Sequence, residues 1–376
     1  MAKYDNKPER DRAVLVGVAV NQTIEEDVLD ELASLCETCG IDAVARIVQN
    51  RKDVDVTYYI GKGKVDEVKE LVTQHNATCV VFDVELSGSK TRNLEAELGV
   101  AVLDRSKVIL DIFAQRAQSM EGKLQVELAQ LKYNLPRLVG FGGLLSKMRN
   151  AVGMRGPGEK KLELDKRKIR DEISQLEKQL EKLAQNRELN KQRGNKSGKP
   201  RVCLVGYTNS GKSTLLNTMT KAGVLAEDKL FATLDPKTSN IYIQTGDDGY
   251  GGKQILLTDT VGFIDKLPHE FIRAFESTLD EARYADLLLH VVDVSNNNYA
   301  EQVNVVNQVL VKINADKVPI LLVLNKIDSL SKIGQEMLGR EFKGQRFVAI
   351  SAKENYKIDE LKNEILNTLL KEEIHG

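Results

Sequence analysis

An apolar run, Val202-Cys-Leu-Val205, feeds directly into Gly206-Tyr-Thr-Asn-Ser-Gly211-Lys212-Ser213-Thr214, and a helical stretch through Leu215, Leu216 and Met219 follows. This is GxxxxGKS in its strand-to-helix setting, and it confines the surrounding chain to an α/β domain whose first strand ends at a phosphate. Gly206, Thr208, Asn209, Ser210, Gly211 and Thr214 line the loop, whose glycines let successive backbone N–H groups point at phosphate oxygens. The helix N-terminus adds partial positive charge, Lys212 spans the β- and γ-phosphates, and the Ser213 hydroxyl can ligate Mg²⁺. Alone, the loop identifies a nucleoside triphosphate and leaves the base open.

Three later segments narrow the ligand. Gln254-Ile-Leu-Leu-Thr258 reads as a strand ending in Asp259-Thr-Val-Gly262, which puts a carboxylate in the Mg²⁺ shell and the Gly262 N–H at the γ-phosphate. Val318 to Leu324 is a third apolar strand, ending in Asn325-Lys326-Ile-Asp328. The Asp328 carboxylate can accept from two guanine N–H groups, a donor pair adenine lacks, so the expected ligands are GTP and GDP with Mg²⁺. Phe347 to Ile350, followed by Ser351-Ala352-Lys353, supplies a backbone N–H near guanine O6. P-loop kinases and helicases are disfavoured by Asn325 to Asp328.

Between the P-loop and Asp259 lies Leu230-Phe231-Ala-Thr233-Leu-Asp235-Pro236. Phe231 is expected beside the nucleotide, and Thr233 as the switch threonine that completes the Mg²⁺ shell only when the γ-phosphate is present. Lys212, Thr233 and Gly262 are the expected catalytic groups, and Ser213, Thr233 and Asp259 the metal ligands. Directly after Gly262 stands Phe263, where Ras-like GTPases carry the glutamine that orients the attacking water. A phenyl ring cannot do this, so slow intrinsic GTP hydrolysis is expected until another group completes the site.

With 376 residues and about 150 per domain, two or three domains are expected. Residues 13 to about 112 alternate apolar runs (Ala13 to Val20, Ala43 to Val48, Cys79 to Phe82, Val100 to Leu103) with amphipathic stretches (Glu25 to Cys39, Lys64 to Thr73, Lys90 to Leu98). This alternation predicts a mainly parallel sheet covered by helices over residues 1–112. Gly61-Lys62-Gly63-Lys64 lacks the spacing of either phosphate fingerprint and reads as a tight turn before a helix.

Ala117, Met120, Leu124, Leu128, Leu131 and Leu135 then recur at helical steps, as do Leu162, Ile169, Ile173, Leu176, Leu180 and Leu183. Neither stripe can bury itself, so residues 113–199 are expected to form a long antiparallel helical hairpin with a Gly-rich loop at its tip, closed by the polar linker Asn186 to Pro200. Residues 137–170 hold ten Lys/Arg against three acids, a local +7. Because the whole chain is at −1, the remainder carries −8. A basic Gly-rich tip lets backbone approach phosphates and release their counterions, which points to the backbone of folded RNA. A P-loop G domain follows over residues 200–376.

The remaining features exclude classes. Hydrophobic residues make up 41% and charged residues 29% of the chain, which is ordinary globular composition. Cys36-Glu-Thr-Cys39 has no second pair and no histidine cluster to complete a metal site, and the four histidines (His75, His269, His290, His375) form no recognisable pattern. No apolar region follows the charged start, and no run approaches a membrane span, so a cytoplasmic address is expected, with peripheral membrane association still open.

The chain resembles the HflX family of translational GTPases over nearly its whole length. Besides the nucleotide motifs, the resemblance rests on Tyr59-Ile-Gly-Lys-Gly-Lys64, Ile112-Phe-Ala-Gln-Arg-Ala117, Glu121-Gly-Lys-Leu-Gln-Val-Glu-Leu-Ala-Gln-Leu131, Leu135-Pro-Arg-Leu138 and Arg155-Gly-Pro-Gly-Glu159. It implies a ribosome-associated GTPase, expected to act as a monomer, whose N-terminal domain and hairpin reach the large subunit and its rRNA through the tip around Arg155, Lys160 and Lys161. The G domain would switch that binding, with subunit splitting or rescue under stress. Lys160-Lys161 stand where the family usually has Thr-Gln, and the small C-terminal domain of some relatives is expected to be absent. The competing reading is a binding module in which GTP controls a protein or membrane partner and hydrolysis is incidental.

Overall fold

The computed structural model describes residues 10–21, 24–138, 157–194, 198–220, 230–231, 234–244, 252–266, 276–342 and 344–375. The chain forms two compact units, one of residues 1–115 and 126–179, the other of residues 116–125 and 180–376.

In the first unit, β1 (Asp11–Val20), β2 (Ile41–Arg51), β3 (Cys79–Phe82) and β4 (Ala101–Asp104) form a sheet in the order β2-β1-β3-β4. Every pairing is parallel. Parallel strands need crossovers, and α1 (Asp30–Cys39), α2 (Lys62–Gln74), α3 (Gly88–Leu98) and α4 (Arg105–Arg116) accompany them. Val14, Val16, Val65, Val68, Val80, Phe82 and Leu94 form the core on one face. β1 and β2 run a few residues beyond the expected apolar stretches, because polar ends such as Asp11 and Asn50 still pair through their backbones. The expected helix over 25–39 is a 3₁₀ turn, Glu26–Leu29, followed by α1.

Helices α5 (Met120–Arg137) and α6 (Pro157–Gly194) occupy the two predicted stripes. They lie side by side in this unit, where Lys132 Nζ meets Glu177 Oε1 at 2.7 Å and Val126, Leu128, Ala129 and Leu176 are buried. Met120, placed on the apolar stripe by spacing, is instead 71% exposed, because the buried arc of α5 turns through Gln125, Val126 and Ala129. The last turn of α5 is tied to the sheet: Asp104 accepts from Tyr133 Oη and from an Arg137 nitrogen, each at 2.9 Å. Asp104 also caps α4 through Lys107 N at 2.8 Å, and burial beside this carboxylate pushes the Tyr133 phenol up. The residues between the helices, 139–156, lie outside the described residues.

In the second unit, β5 (Arg201–Gly206), β6 (Lys237–Gln244), β7 (Gly252–Asp259), β8 (Leu287–Asp293), β9 (Ile320–Asn325) and β10 (Phe347–Ala349) make a sheet ordered β10-β9-β8-β5-β7-β6. Only β6 runs antiparallel to its neighbour. The accompanying helices are α7 (Lys212–Thr220), α8 (Glu276–Arg283), α9 (Tyr299–Lys312), α10 (Lys332–Glu341) and α11 (Ile358–His375). One core cluster joins Leu204, Leu257, Leu289, Val323 and Leu361; another joins Val292, Leu324, Leu338 and Phe342. Burial on both sides accounts for the continuous apolar runs of β8 and β9. The carboxyl ends of β5, β7, β8 and β9 share one edge, so Gly206, Asp259, Asp293 and Asn325 converge there. Among the described residues, no helix is long and apolar enough to cross a membrane.

Candidate functional site

At that edge, β5 ends and α7 begins at Lys212, so the helix N-terminus faces the loop. Lys212 is 6% exposed, and its ammonium donates to the carbonyls of Gly206 at 3.1 Å and Tyr207 at 2.7 Å. Burial pushes its pKa down to about 8, against the pull of the Asp259 carboxylate. The hydroxyls of Thr208 and Ser210 are buried in the same loop with no protein partner. A buried cation, two unsatisfied hydroxyls and a helix N-terminus form a cradle suited to phosphate oxygens.

Asn325, 2% exposed, joins this loop to the base-side segments. Its Nδ2 donates to Ser210 O at 2.9 Å, and its Oδ1 accepts from Ala352 N at 3.0 Å. Gly211 has φ +93°, and a Cβ there would stand 2.2 Å from Asn325 Nδ2, so both conformation and space require glycine. Ala352 is thus engaged by Asn325, while Ser351 Oγ accepts from Glu354 N at 3.1 Å and Lys353 is exposed. Lys326 adopts φ +65° and its Nζ pairs with Asp293 at 2.7 Å; Asp328 is exposed on a 3₁₀ turn, open to a base.

Ser213 Oγ donates to Asp259 Oδ2 at 2.6 Å, and Asp259 is fully buried at the tip of β7. One hydroxyl and one carboxylate at touching distance are the oxygen donors a Mg²⁺ ion takes beside nucleotide phosphates, so these residues fit that ion. A Cβ on Gly262 would lie 2.9 Å from Thr208 Cα and 3.1 Å from Lys212 Nζ, so glycine lets this backbone close onto the P-loop. Phe263 extends that approach as a bridge: its N–H donates to Gly206 O at 3.1 Å and its carbonyl accepts from Thr208 N at 2.7 Å. Its ring is only 2% exposed, so it packs into protein and presents no group to a water. Phe231 is buried with φ +54°, whereas Thr233 lies outside the described residues. Arg155 and the side chains of Lys160 and Lys161 also lie outside them.

Sequence reasoning missed three charged groups. Asp235 accepts hydrogen bonds from residues 118 and 119, and its only sequence signal is a serine, Ser119, in N-cap position before α5. Asp104 holds the end of α5. Arg105, 4% exposed, pairs with Asp83 at 2.8 Å and with Glu31. No group of three potential metal-ligating side chains occurs among the described residues. Burial pushes the Cys36 and Cys39 thiols up to about 12 and about 11, unsuited to a thiolate site. Buried His290, on the strand beside β5, is pushed down to about 4 by burial and stays neutral.

The chain matches three family models, described as "GTP-binding GTPase N-terminal" over residues 26–114, "GTP-binding GTPase Middle Region" over 116–193 and "50S ribosome-binding GTPase" over 201–326. It is 46% identical over 364 residues to the GTPase HflX of Caldanaerobacter subterraneus subsp. tengcongensis, covering 97% of this chain and 82% of the relative. It is 45% identical over 327 residues to GTPase HflX of Escherichia coli, covering 87% and 75%. Among solved structures, the crystal structure of SsGBP in complex with GDP is similar at 27% identity and TM-score 0.51, covering 96% of this chain and 99% of that one.

Proposed function

Since the chain belongs to the HflX family of GTPases and hydrolyses GTP to GDP, we propose that it binds the large ribosomal subunit when GTP is bound and promotes subunit dissociation or rescue under stress. The observation that carries this reading is the concentration of positive charge at 137–170, ten Lys/Arg against three acids, in a chain otherwise net acidic. A G domain needs no such stretch, whereas rRNA phosphates do. Residues 1–112 and 113–199 form the ribosome-reaching part, and 200–376 the switch.

Within the site, Lys212 and the loop N–H groups neutralise and orient the phosphates, Asp328 selects guanine, and Asn325 braces the two. Ser213 and Asp259, with Thr233, would hold Mg²⁺, which supplies charge neutralisation on the phosphoryl group. Because Phe263 stands at that position with its side chain buried, no side chain there positions water, and turnover is slow until the partner supplies what is missing.

The test is GTP turnover with and without purified large subunits, using Lys212→Ala and a tip variant with Arg155, Lys160 and Lys161 all changed to Glu. Subunits raise wild-type turnover at least about tenfold, roughly 1.4 kcal/mol of barrier, and the tip variant loses the rise while still binding GTP. Unchanged turnover with no particle binding would defeat the ribosome reading and favour a GTP-controlled module with another partner.

A further inference from the structure

Asp235 sits in a position that the nucleotide motifs do not account for. Its Oδ2 accepts from the backbone amides of Gln118 and Ser119, each at 2.9 Å, and its Oδ1 accepts from the Ser119 hydroxyl. The same hydroxyl accepts from Gly122 N at 2.9 Å, and Ser119 O accepts from Lys123 N at 3.1 Å, so Ser119 is the N-cap of α5. Asp235 therefore places a carboxylate at the positive end of an 18-residue helix, across 116 residues of sequence. The fit is tight: a Cβ on Gly122 would lie 2.6 Å from Asp235 Oδ1 and 3.0 Å from Ser119 Oγ, so a larger residue there would have to push the clasp apart. This gives a physical reason for Gly122 in the run Glu121-Gly-Lys.

The other end of the connection is the nucleotide site. Asp235 follows Thr233 by two residues and precedes by two Lys237, which pairs in the β6–β7 ladder with Asp259 itself. Leu234, immediately before Asp235, is 3% exposed and so packs into protein. Pro236 restricts Asp235 to extended backbone, leaving it little freedom to absorb movement on either side. Residues 116–125 belong to the nucleotide-binding unit, and the rest of α5 to the other. Asp235 therefore stands two residues before the strand end that pairs with Asp259, while its carboxylate holds the first turn of α5.

We propose that the Asp235–Ser119–Gly122 clasp is a positioning device that couples the start of β6, and through its ladder Asp259, to α5, so that GTP turnover is set from that helix. The proposal rests on the GTPase reading above and adds its regulation. Asp235 acts through the helix end it holds.

Hydrogen exchange on the full-length chain, loaded with GDP or with a non-hydrolysable GTP analogue, reads the amides of Gln118, Ser119 and Gly122. In wild type their exchange differs at least about tenfold between the two nucleotides. In Asp235→Ala they exchange fast in both states, GDP affinity stays within about twofold, and kcat changes at least about tenfold, a split that general destabilisation does not produce. Ser119→Ala, a milder truncation, moves the same readouts in the same direction. Equal exchange in the two wild-type states, or an Asp235→Ala protein with wild-type turnover, overturns the clasp. No ribosome enters the exchange arm, so the two readings fail separately. If the amides respond to nucleotide while large subunits neither bind nor stimulate, the ribosome reading falls and the clasp stands. If subunits stimulate wild type and Asp235→Ala alike, the clasp falls and the ribosome reading stands.

Discussion

Lys212 provides a sharp quantitative test of the phosphate cradle. Its ammonium is enclosed and donates to the carbonyls of Gly206 and Tyr207, and burial, against the pull of the Asp259 carboxylate, pushes its pKa down to about 8. Phosphates in the cradle give the ammonium anionic partners and return its pKa above the free-protein value. Binding therefore takes up a proton wherever the free protein has lost one. With a free-state value of about 8 and the ordinary lysine value of 10.5 restored on binding, GDP binding takes up about 0.1 proton at pH 7, about 0.5 at pH 8 and about 0.9 at pH 9. Affinity is full below pH 8 and falls above it, by about tenfold between pH 7 and pH 9, or about 1.4 kcal/mol. The nucleotide-free fold responds oppositely: between pH 8 and 10.5 the unfolded chain binds more protons at this lysine, so stability rises with pH across that window. Calorimetry of GDP binding in buffers of differing ionisation enthalpy measures the uptake directly, and Lys212→Met removes the contribution. Uptake below about 0.1 proton at pH 8, or equal uptake in Lys212→Met, would refute the assignment of a desolvated ammonium to this loop.

Asn325→Ala leaves the Ser210 carbonyl and the Ala352 amide without their buried partner, so thermal stability falls by about 2–4 kcal/mol and GDP affinity falls with it, both read by GDP-dependent thermal shift. Asp328→Asn removes the acceptor for guanine N–H groups from an exposed turn, so competition binding shows GDP weakened at least about tenfold while xanthosine diphosphate gains, with no change in melting temperature. Arg105→Met strips a buried Asp83 of its cation and costs about 3–5 kcal/mol in the N-terminal unit, seen in urea unfolding, while GDP affinity is unaltered.

The nucleotide site was legible because its constraints are local. Gly206 to Thr214 must turn from strand to helix around phosphates within nine residues, so the pattern survives without knowledge of the rest of the fold. The same holds for strands whose tips carry Asp259 and Asn325, since a parallel sheet brings every carboxyl end to one edge. Period counting did less well on α5. It found the helix but put Met120 on the buried stripe, because a repeat of three or four does not say where the buried arc begins.

What stayed hidden has one physical cause: polar groups whose partners are remote in sequence. Nothing near Asp235 announces that its oxygens will meet amides 116 and 117 residues away, just as nothing near Asp104 announces Tyr133 and Arg137. A carboxylate in a turn before a proline reads as solvated, because the alternative needs a helix N-terminus delivered by tertiary structure. The two hidden aspartates grip opposite ends of the same helix, Asp235 its first turn and Asp104 its last. Burying or ordering a carboxylate is unfavourable unless its acceptor sites are filled, so each contact, within its own unit, depends on the backbone that supplies its donors. A carboxylate whose acceptor sites are filled by amides 116 and 117 residues away is a contact that only the folded chain displays.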